Sequence, residues 1–280
     1  MKLVSFRIGG DDRLGLVVGN GIADLSRCSP ALSFAEAISP AALAEIGKLR
    51  DRLTADYALD EVEYRLPVSA TGKVLCIGRN YAKYHEVKQE GRPQWPSVFG
   101  RFLSSFVAHG QLIVRPKASE QLDYEGELCA VIGQRGRHLR AEEALEYVAG
   151  YTLMNEGSVR DWQRYGSQNC PGKNFWHSGS MGPWMVTCDE IPDVGALTIA
   201  TRVEGETRQH GSCGAMLFSV AEAISHVSRF TQLEPGDVIA TGSPGGSAID
   251  SEPHRWLEPG QTLEVEIDAI GILRNGVVAE

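Results

Sequence analysis

Three acids stand within five residues in Asp123-Tyr124-Glu125-Gly126-Glu127, and the stretch DYEGELCAVIG then turns apolar. At the strand period of two, Asp123, Glu125, Glu127, Cys129 and Val131 share one side, and Tyr124, Gly126, Leu128, Ala130 and Ile132 share the other. The acidic face becomes the apolar face within one strand, as it would if the strand dipped its acids into a cleft. Two carboxylates at i and i+2 can reach one hard cation together. An exposed acidic strand end is the plainer alternative. A third acid, Glu156, follows the strand VAGYTLMN and precedes a glycine. With Glu125 and Glu127 it would offer three oxygen ligands. Mg²⁺ or Mn²⁺ is held by such sets, with the remaining positions left to water and substrate.

Other residue types with chemical use surround these acids. In SVRDWQ, Arg160 and Gln163 are three apart and share a face if the segment is helical. Arg160 suits bidentate binding of a substrate carboxylate, or a surface salt bridge with Asp161. Lys173 follows Pro-Gly in CPGKNFWHSG, where a turn can aim it inward, although a lone lysine ordinarily stays at the surface. His85 stands beside Glu86, with Glu90 further on, in GRNYAKYHEVKQE. A histidine next to a carboxylate can act as a general base over a metal site; an exposed helix with alternating charge is the alternative. The Gly-rich stretch from Thr241 to Ser247 lacks the G-x-x-x-x-G-K-[ST] pattern and is not a P-loop. Its backbone N–H groups and the Thr241 hydroxyl can grip an anionic substrate end, or form a plain turn.

The elements that must position these residues are those of an ordinary soluble protein. The chain has 280 residues, 42% hydrophobic and 22% charged, enough for one large domain and a small one. Its net charge of −9, from 27 basic and 36 acidic residues, argues against nucleic-acid and anionic-membrane partners. No apolar run approaches membrane-spanning length, and the first fifteen residues lack the apolar core of a signal peptide. The six cysteines form no C-x-x-C pair and read as reduced thiols in a cytoplasmic protein.

Residues 2–8 and 13–18 alternate like two strands of a hairpin around GGDD, and SFAEAISPAALAEIGKLRDRLTADYA reads as helix broken at Pro40. A boundary near residue 70 separates a small α+β part, 1–70, from a strand-rich part, 71–280. Strands are expected at 74–78, 111–115, 123–133, 148–155, 182–187, 197–204, 237–241 and 262–269. Helices are expected in RAEEALEYV and MLFSVAEAISHVSRFT. LEPG occurs at 233–236 and 257–260, each time before a strand, as a Pro-Gly turn. This order is not alternating βαβ, so the expected class is α+β and predominantly β, an irregular β-roll or sandwich with a few helices.

Taken in order, GRNY, DYEGELCAVIG, VAGYTLMNEGSVRDWQ, PGKNF, MGPWMV, LEPGDVIATGSPGG and LEPGQTLEVEIDAIGILRN resemble the fumarylacetoacetate hydrolase family from about Val74 onward. The resemblance implies a β-roll catalytic domain, a homodimer, and a divalent metal, Mg²⁺ or Mn²⁺, with Ca²⁺ also compatible. It maps the metal acids onto Glu125, Glu127 and Glu156, although the family commonly has Asp at the third place. Substrate-orienting residues map onto Arg160, Gln163, Lys173 and Thr241, and Arg101 takes a place often held by Lys. The family's histidine would fall on Tyr84 and its partner Glu on Lys88, so His85 with Glu86 or Glu90 stands one residue out of register.

The implied reaction is metal-dependent hydrolysis of a C–C bond in a 2,4-dioxo acid, an acylpyruvate, to pyruvate and a carboxylic acid. In that reading His85, oriented by Glu86, activates water, Lys173 and Gln163 stabilise the oxyanion, and Arg160 and the Thr241 loop hold the anionic end. The same metal-bound enolate also serves oxaloacetate decarboxylation and hydroxymuconate-type isomerisation or decarboxylation. A non-catalytic acid- or metal-binding protein is the reading of another class.

Overall fold

The computed structural model describes residues 1–27, 33–68, 72–81 and 91–280. β1 (Lys2–Ile8) and β2 (Asp11–Val18) pair antiparallel across Gly9 and Gly10, both at positive φ, which glycine adopts without penalty. β3 (Gly21–Asp24) follows. Helices α1 (Phe34–Ala37) and α2 (Pro40–Leu49) flank the expected break, and each begins on a serine cap. Ser33 and Glu36 exchange hydrogen bonds, and Ser39 caps α2, where Pro40 occupies the first turn and its missing N–H costs nothing. β4 (Tyr57–Ala58) and β5 (Glu63–Tyr64) complete this part.

The remainder begins with β6 (Val74–Gly78), β7 (Ser97–Arg101), β8 (Phe106–Ala108) and β9 (Ile113–Arg115). β10 (Leu122–Asp123), β11 (Gly126–Ile132), β12 (Val148–Asn155) and β13 (Ser158–Val159) lead into α3 (Arg160–Arg164) and α4 (Cys170–Lys173). β14 (Gly179–Thr187), β15 (Thr198–Val203) and β16 (Glu206–Ser212) precede α5 (Val220–Phe230). β17 (Val238–Ala240), β18 (Thr262–Ile267) and β19 (Gly271–Ala279) end the chain.

Among the described residues, twelve strands form one mixed sheet in the order β4-β3-β2-β1-β14-β12-β11-β17-β6-β7, with β5 on β1 and β8 on β14. A second sheet runs β16-β15-β18-β19-β9, and β10 pairs with β13. The fold is thus α+β and predominantly β. Leu128, Tyr151 and Leu153 of the first sheet share a core with Ile199, Val265 and Leu273 of the second. The opposite face of the first sheet places Cys129, Val131 and Met154 in a core with Leu3, Leu16 and Ile46. Burying each large side chain of this kind contributes about 1.5–3 kcal/mol. β11 and β12 are covered on both faces, so their sequences run almost continuously apolar beyond the acids. The large sheet is continuous across residue 70: β1 pairs with β14, and Thr187 N donates to Met1 O.

Two expected elements differ. RAEEALEYV is a turn followed by a short 3₁₀ stretch, Ala144–Tyr147. The Glu143 carboxylate accepts from both the backbone and the side chain of Arg140 and closes the turn locally, and only Ala144 of the 3₁₀ stretch is buried. The strand expected over 123–133 is divided, with Tyr124 and Glu125 between β10 and β11. There the Asn155 side chain, not a backbone carbonyl, accepts the Glu125 N–H. Cys76, Cys129, Cys170, Cys188 and Cys213 carry free thiols. No helix among the described residues is long and apolar enough to cross a membrane.

Candidate active site

The site forms where β11 and β12 meet. Gly126 lies opposite Asn155 in the register, so Glu125 and Glu156 become neighbours, and Glu156 N donates to Glu125 O at 2.7 Å. The glycine between the two glutamates is a steric requirement: a Cβ on Gly126 would lie 2.1 Å from Thr201 Oγ1 of the second sheet. A Cβ on Gly157, just after Glu156, would lie 1.7 Å from Ser178 O. Backbones are thereby drawn together around the acids.

Lys173, at the end of α4, is buried among them. Its Nζ donates to Glu125 Oε2 at 2.6 Å and to Glu156 Oε2 at 2.9 Å, with the Phe99 ring 5.1 Å away. Pro171 and Gly172 stand inside α4 rather than in a turn before Lys173, and Gly172 lets α4 approach α3: a Cβ there would lie 2.4 Å from Gln163 N. Arg160 is also buried. Its Nε donates to Asp123 Oδ2 at 2.7 Å, its Nη1 to Gln163 Oε1 at 2.9 Å, and its Nη2 lies 3.0 Å from Glu125 Oε1. Glu127 Oε2 accepts from Gly242 N at 3.0 Å.

Glu125 and Glu127 are pushed apart in acidity. Burial raises Glu127 well above the ordinary carboxylate range, and the charges of Glu156 and Glu125 raise it further. Burial acts on Glu125 too, but Arg160 and Lys173 outweigh it and bring that carboxyl down to about 2. Burial likewise opposes the charge on Lys173, and Glu125 and Glu156 overcome it, so the ammonium is held more firmly than in water. One carboxylate is thus held as an anion by its cations, while burial and two acidic neighbours work against the charge on the other.

A hard divalent cation suits this donor set. Four carboxylates, the buried Asp123, Glu127 and Glu156 and the part-buried Glu125, face three buried cations, Arg101, Arg160 and Lys173. Glu156 Oε1 is buried without a hydrogen-bond partner. Oxygen donors in excess of their counter-charges are what Mg²⁺ and Mn²⁺ select. Among the described residues no three such side chains already stand in metal-holding geometry; the ammonium of Lys173 bridges Glu125 and Glu156 instead.

The site therefore unites Glu125, Glu127, Glu156, Lys173, Arg160 and Gln163, but three expected contacts read differently. The Arg160 guanidinium is taken up by Asp123, Glu125 and Gln163, so it braces the acids rather than standing open to a substrate carboxylate. Arg101 is buried, with Nε toward Ser105 Oγ, Nη2 toward Ser178 Oγ and the guanidinium 4.3 Å over Phe106. Burial lowers its pKa against the pull of Glu156, and its Nη1 is buried without a hydrogen-bond partner among the described residues. The Thr241 hydroxyl donates to Leu128 O at 2.8 Å, tying the Gly-rich loop to β11. His85, Glu86 and Glu90 lie outside the described residues.

Sequence reasoning passed over two supports. Asp123 accepts from Tyr124 N, Ala248 N, Ile249 N and Arg160, making it the anchor of the arginine. Its spacing of two from Glu125 was the available signal. Asn80 donates to Phe218 O and Thr241 O, both at 2.8 Å, and accepts from Phe218 N. The motif GRNY holds it, but nothing local in the sequence announces these distant partners.

The C-terminal model of the fumarylacetoacetate (FAA) hydrolases matches residues 73–278. The chain belongs to the fumarylacetoacetate hydrolase family. Within that family, the mitochondrial oxaloacetate tautomerase FAHD2A of Bos taurus is 35% identical over 289 aligned residues, covering 99% of this chain and 92% of the relative. A fumarylacetoacetate hydrolase from psychrophilic Exiguobacterium antarcticum has a TM-score of 0.85 at 34% identity, with all of both chains covered. A probable 2-hydroxyhepta-2,4-diene-1,7-dioate isomerase from Mycobacterium abscessus has a TM-score of 0.84 at 30% identity, covering 100% of this chain and 99% of that one. Relatives of this fumarylacetoacetate hydrolase family chain are thus named for a tautomerase, a hydrolase and an isomerase.

Proposed function

We propose that this protein is an enzyme of enolate chemistry on short 2-oxo diacids, and that keto–enol interconversion of an oxaloacetate-type substrate is its reaction. The observation that carries this reading is the Lys173 ammonium, buried between Glu125 and Glu156. An ammonium has three donors. Two are engaged by the glutamates; among the described residues none takes the third, which can serve a substrate oxygen on which negative charge develops. Glu127, tied to the Gly-rich loop through Gly242 N, stands in the same buried site. Gln163, whose Oε1 is occupied by Arg160, keeps its amide N–H groups for orientation. Tautomerisation is redox-neutral: the enol O–H proton passes to water as the enolate forms, and water returns a proton to carbon while Lys173 holds the charged oxygen. Glu125, Glu127 and Glu156 are the residues that would hold Mg²⁺ or Mn²⁺, which supplies Lewis-acid stabilisation of an enolate oxygen when bound. The 35% identity to a protein named oxaloacetate tautomerase supports this choice.

Hydrolysis of an acylpyruvate is the second reading, favoured by the likeness to a structure named as a fumarylacetoacetate hydrolase. It requires an activated water as well as the enolate machinery. His85 and Glu86 are the proposed residues for that task.

The test compares the purified protein with Mn²⁺, with Mg²⁺ and after chelation. Loss of enol-oxaloacetate absorbance is followed directly, and pyruvate release from oxaloacetate and from acylpyruvates by a coupled assay. Metal-dependent acceleration of tautomerisation, lost by about 100-fold or more in Lys173→Met, is expected. A tautomerisation rate equal to that of buffer, with rapid pyruvate release from an acylpyruvate, would replace this reading by the hydrolytic one. Oxalate binding without turnover of any oxo acid would leave only a binding protein.

A further inference from the structure

Glu127 and the Gly-rich loop are linked by more than one bond. Glu127 Oε2 accepts from Gly242 N at 3.0 Å, and two residues further along the loop Pro244 O accepts from Gln209 Nε2 at 2.7 Å. The other end of the same amide, Gln209 Oε1, accepts from Gly126 N at 2.9 Å, one residue before Glu127. The path Gly126–Glu127–Gly242–Ser243–Pro244–Gln209 is therefore a closed ring through backbone and hydrogen bonds. Gln209 is fully buried, and each end of its amide is engaged with main chain of the site.

The surroundings show why a side chain does this work. β17 pairs with β11 only from Cys129 to Val131, Cys129 opposite Ala240. Beyond that pair the chain departs into the Gly-rich loop, and Gly126 N is left to be satisfied by something other than a strand. β16 supplies the partner from the second sheet. Thr201 lies opposite Gln209 in the β15–β16 register, and Thr201 Oγ1 fills the space a side chain at 126 would need. The contact with the loop is equally close: a Cβ on Gly246 would lie 2.2 Å from Arg208 O, and one on Gly211 would lie 2.7 Å from Pro244 Cβ. β16 thus presses on the acid-bearing strand and on the loop together, through glycines on both sides of the contact.

We propose that Gln209 is a positioning residue, which sets the Glu127 carboxylate and the Gly242–Pro244 loop as one unit and so tunes metal affinity and turnover without touching the substrate. This rests on the reading of Glu125, Glu127 and Glu156 as the metal-holding acids. Removing an outer partner of a metal ligand typically costs 10–100-fold in affinity or activity.

The experiment uses the full chain and two variants. Gln209→Leu loses both bonds; Gln209→Glu keeps the acceptor for Gly126 N and loses the donor to Pro244. Calorimetric Mn²⁺ affinity, kcat and KM at saturating metal, and the thermal midpoint are measured for each. Val277→Ala, in the buried part of β19, serves as a control for general loss of stability. Gln209→Leu is expected to bind Mn²⁺ about 10-fold more weakly and to lose kcat by about 10–100-fold. Gln209→Glu should recover most of the affinity, and Val277→Ala should melt earlier with unchanged affinity and kcat. Wild-type Mn²⁺ affinity and kcat in Gln209→Leu would overturn the proposal alone. The same holds if Val277→Ala loses affinity in step with its midpoint, or if Gln209→Glu binds no better than Gln209→Leu. Absence of Mn²⁺ binding by the wild type would overturn the metal reading, and this inference with it.

Discussion

Asp24 in the N-terminal part and the pair Glu127 and Glu156 at the site are treated in opposite ways. Asp24, at the end of β3, has one oxygen accepting from Ser26 N at 2.9 Å and Ser26 Oγ at 2.5 Å, and the other from Arg13 at 2.7 Å. Asp237, just before β17, is as well served: Lys73 N at 2.7 Å, Lys73 Nζ at 2.6 Å and Glu234 N at 2.8 Å. Burial would raise Asp24, but Ser26 and Arg13 hold it below the ordinary range, whereas Glu127 lies well above it. At the site Glu127 has one backbone donor and two acidic neighbours, and Glu156 leaves an oxygen unpartnered. Asp24 and Asp237 are saturated with donors; Glu127 and Glu156 are left short, at a cost in stability.

That contrast can be broken at either end. The largest effect is expected from Glu127→Gln. Turnover should fall about 100-fold or more, while the thermal midpoint of the metal-free protein stays level or rises, because the amide relieves crowding among acids. A variant that keeps its activity, or that melts several degrees lower without metal, would contradict this. Next, Asp237→Ala should destabilise the protein by about 2–3 kcal/mol in denaturant melts, since Lys73 N and Glu234 N lose a charged acceptor. Its kcat should not change; a drop larger than a few-fold would blur the distinction between the two classes.

The smallest effect is expected at Asp24. Its carboxyl is depressed in the folded state, so the stability it contributes is complete above its unfolded pKa, near 3.9, and is lost as pH falls through the lower folded value. The midpoint gap between wild type and Asp24→Asn should therefore be about 2–4 °C at neutral pH. It should hold down to about pH 4 and narrow below that. A gap that stays constant or widens at pH 3 would remove Asp24 from the folding class.

What the sequence made legible depended on locality. The hairpin of β1 and β2, the strands β6 and β12 and the helix α5 follow from period and capping residues within a few positions. Glu125, Glu127 and Glu156 stand out by a spacing of two and a strand end, a pattern that an exposed acidic strand end shares, and only the resemblance to a family joins the three. β16 was not, since ETRQHGS lacks apolar alternation and its one fully buried side chain is a glutamine satisfied by residues 83 and 35 positions away. For Arg160 the sequence does not show the protein partners, for the same reason. Its charge and helical placement are local facts, but Asp123 lies 37 positions away.

The pairing of β1 on β14 carries one more consequence. The segment matching the family model starts at residue 73, yet Leu3 and Lys2 complete the hydrogen bonding of Met185 and Val186. A fragment cut at that boundary would leave the rim of the large sheet as an adhesive ledge of unpaired amides and carbonyls, ready to recruit any extended chain nearby. The opening seventy residues therefore act as a built-in guard against mispairing, whatever else they do.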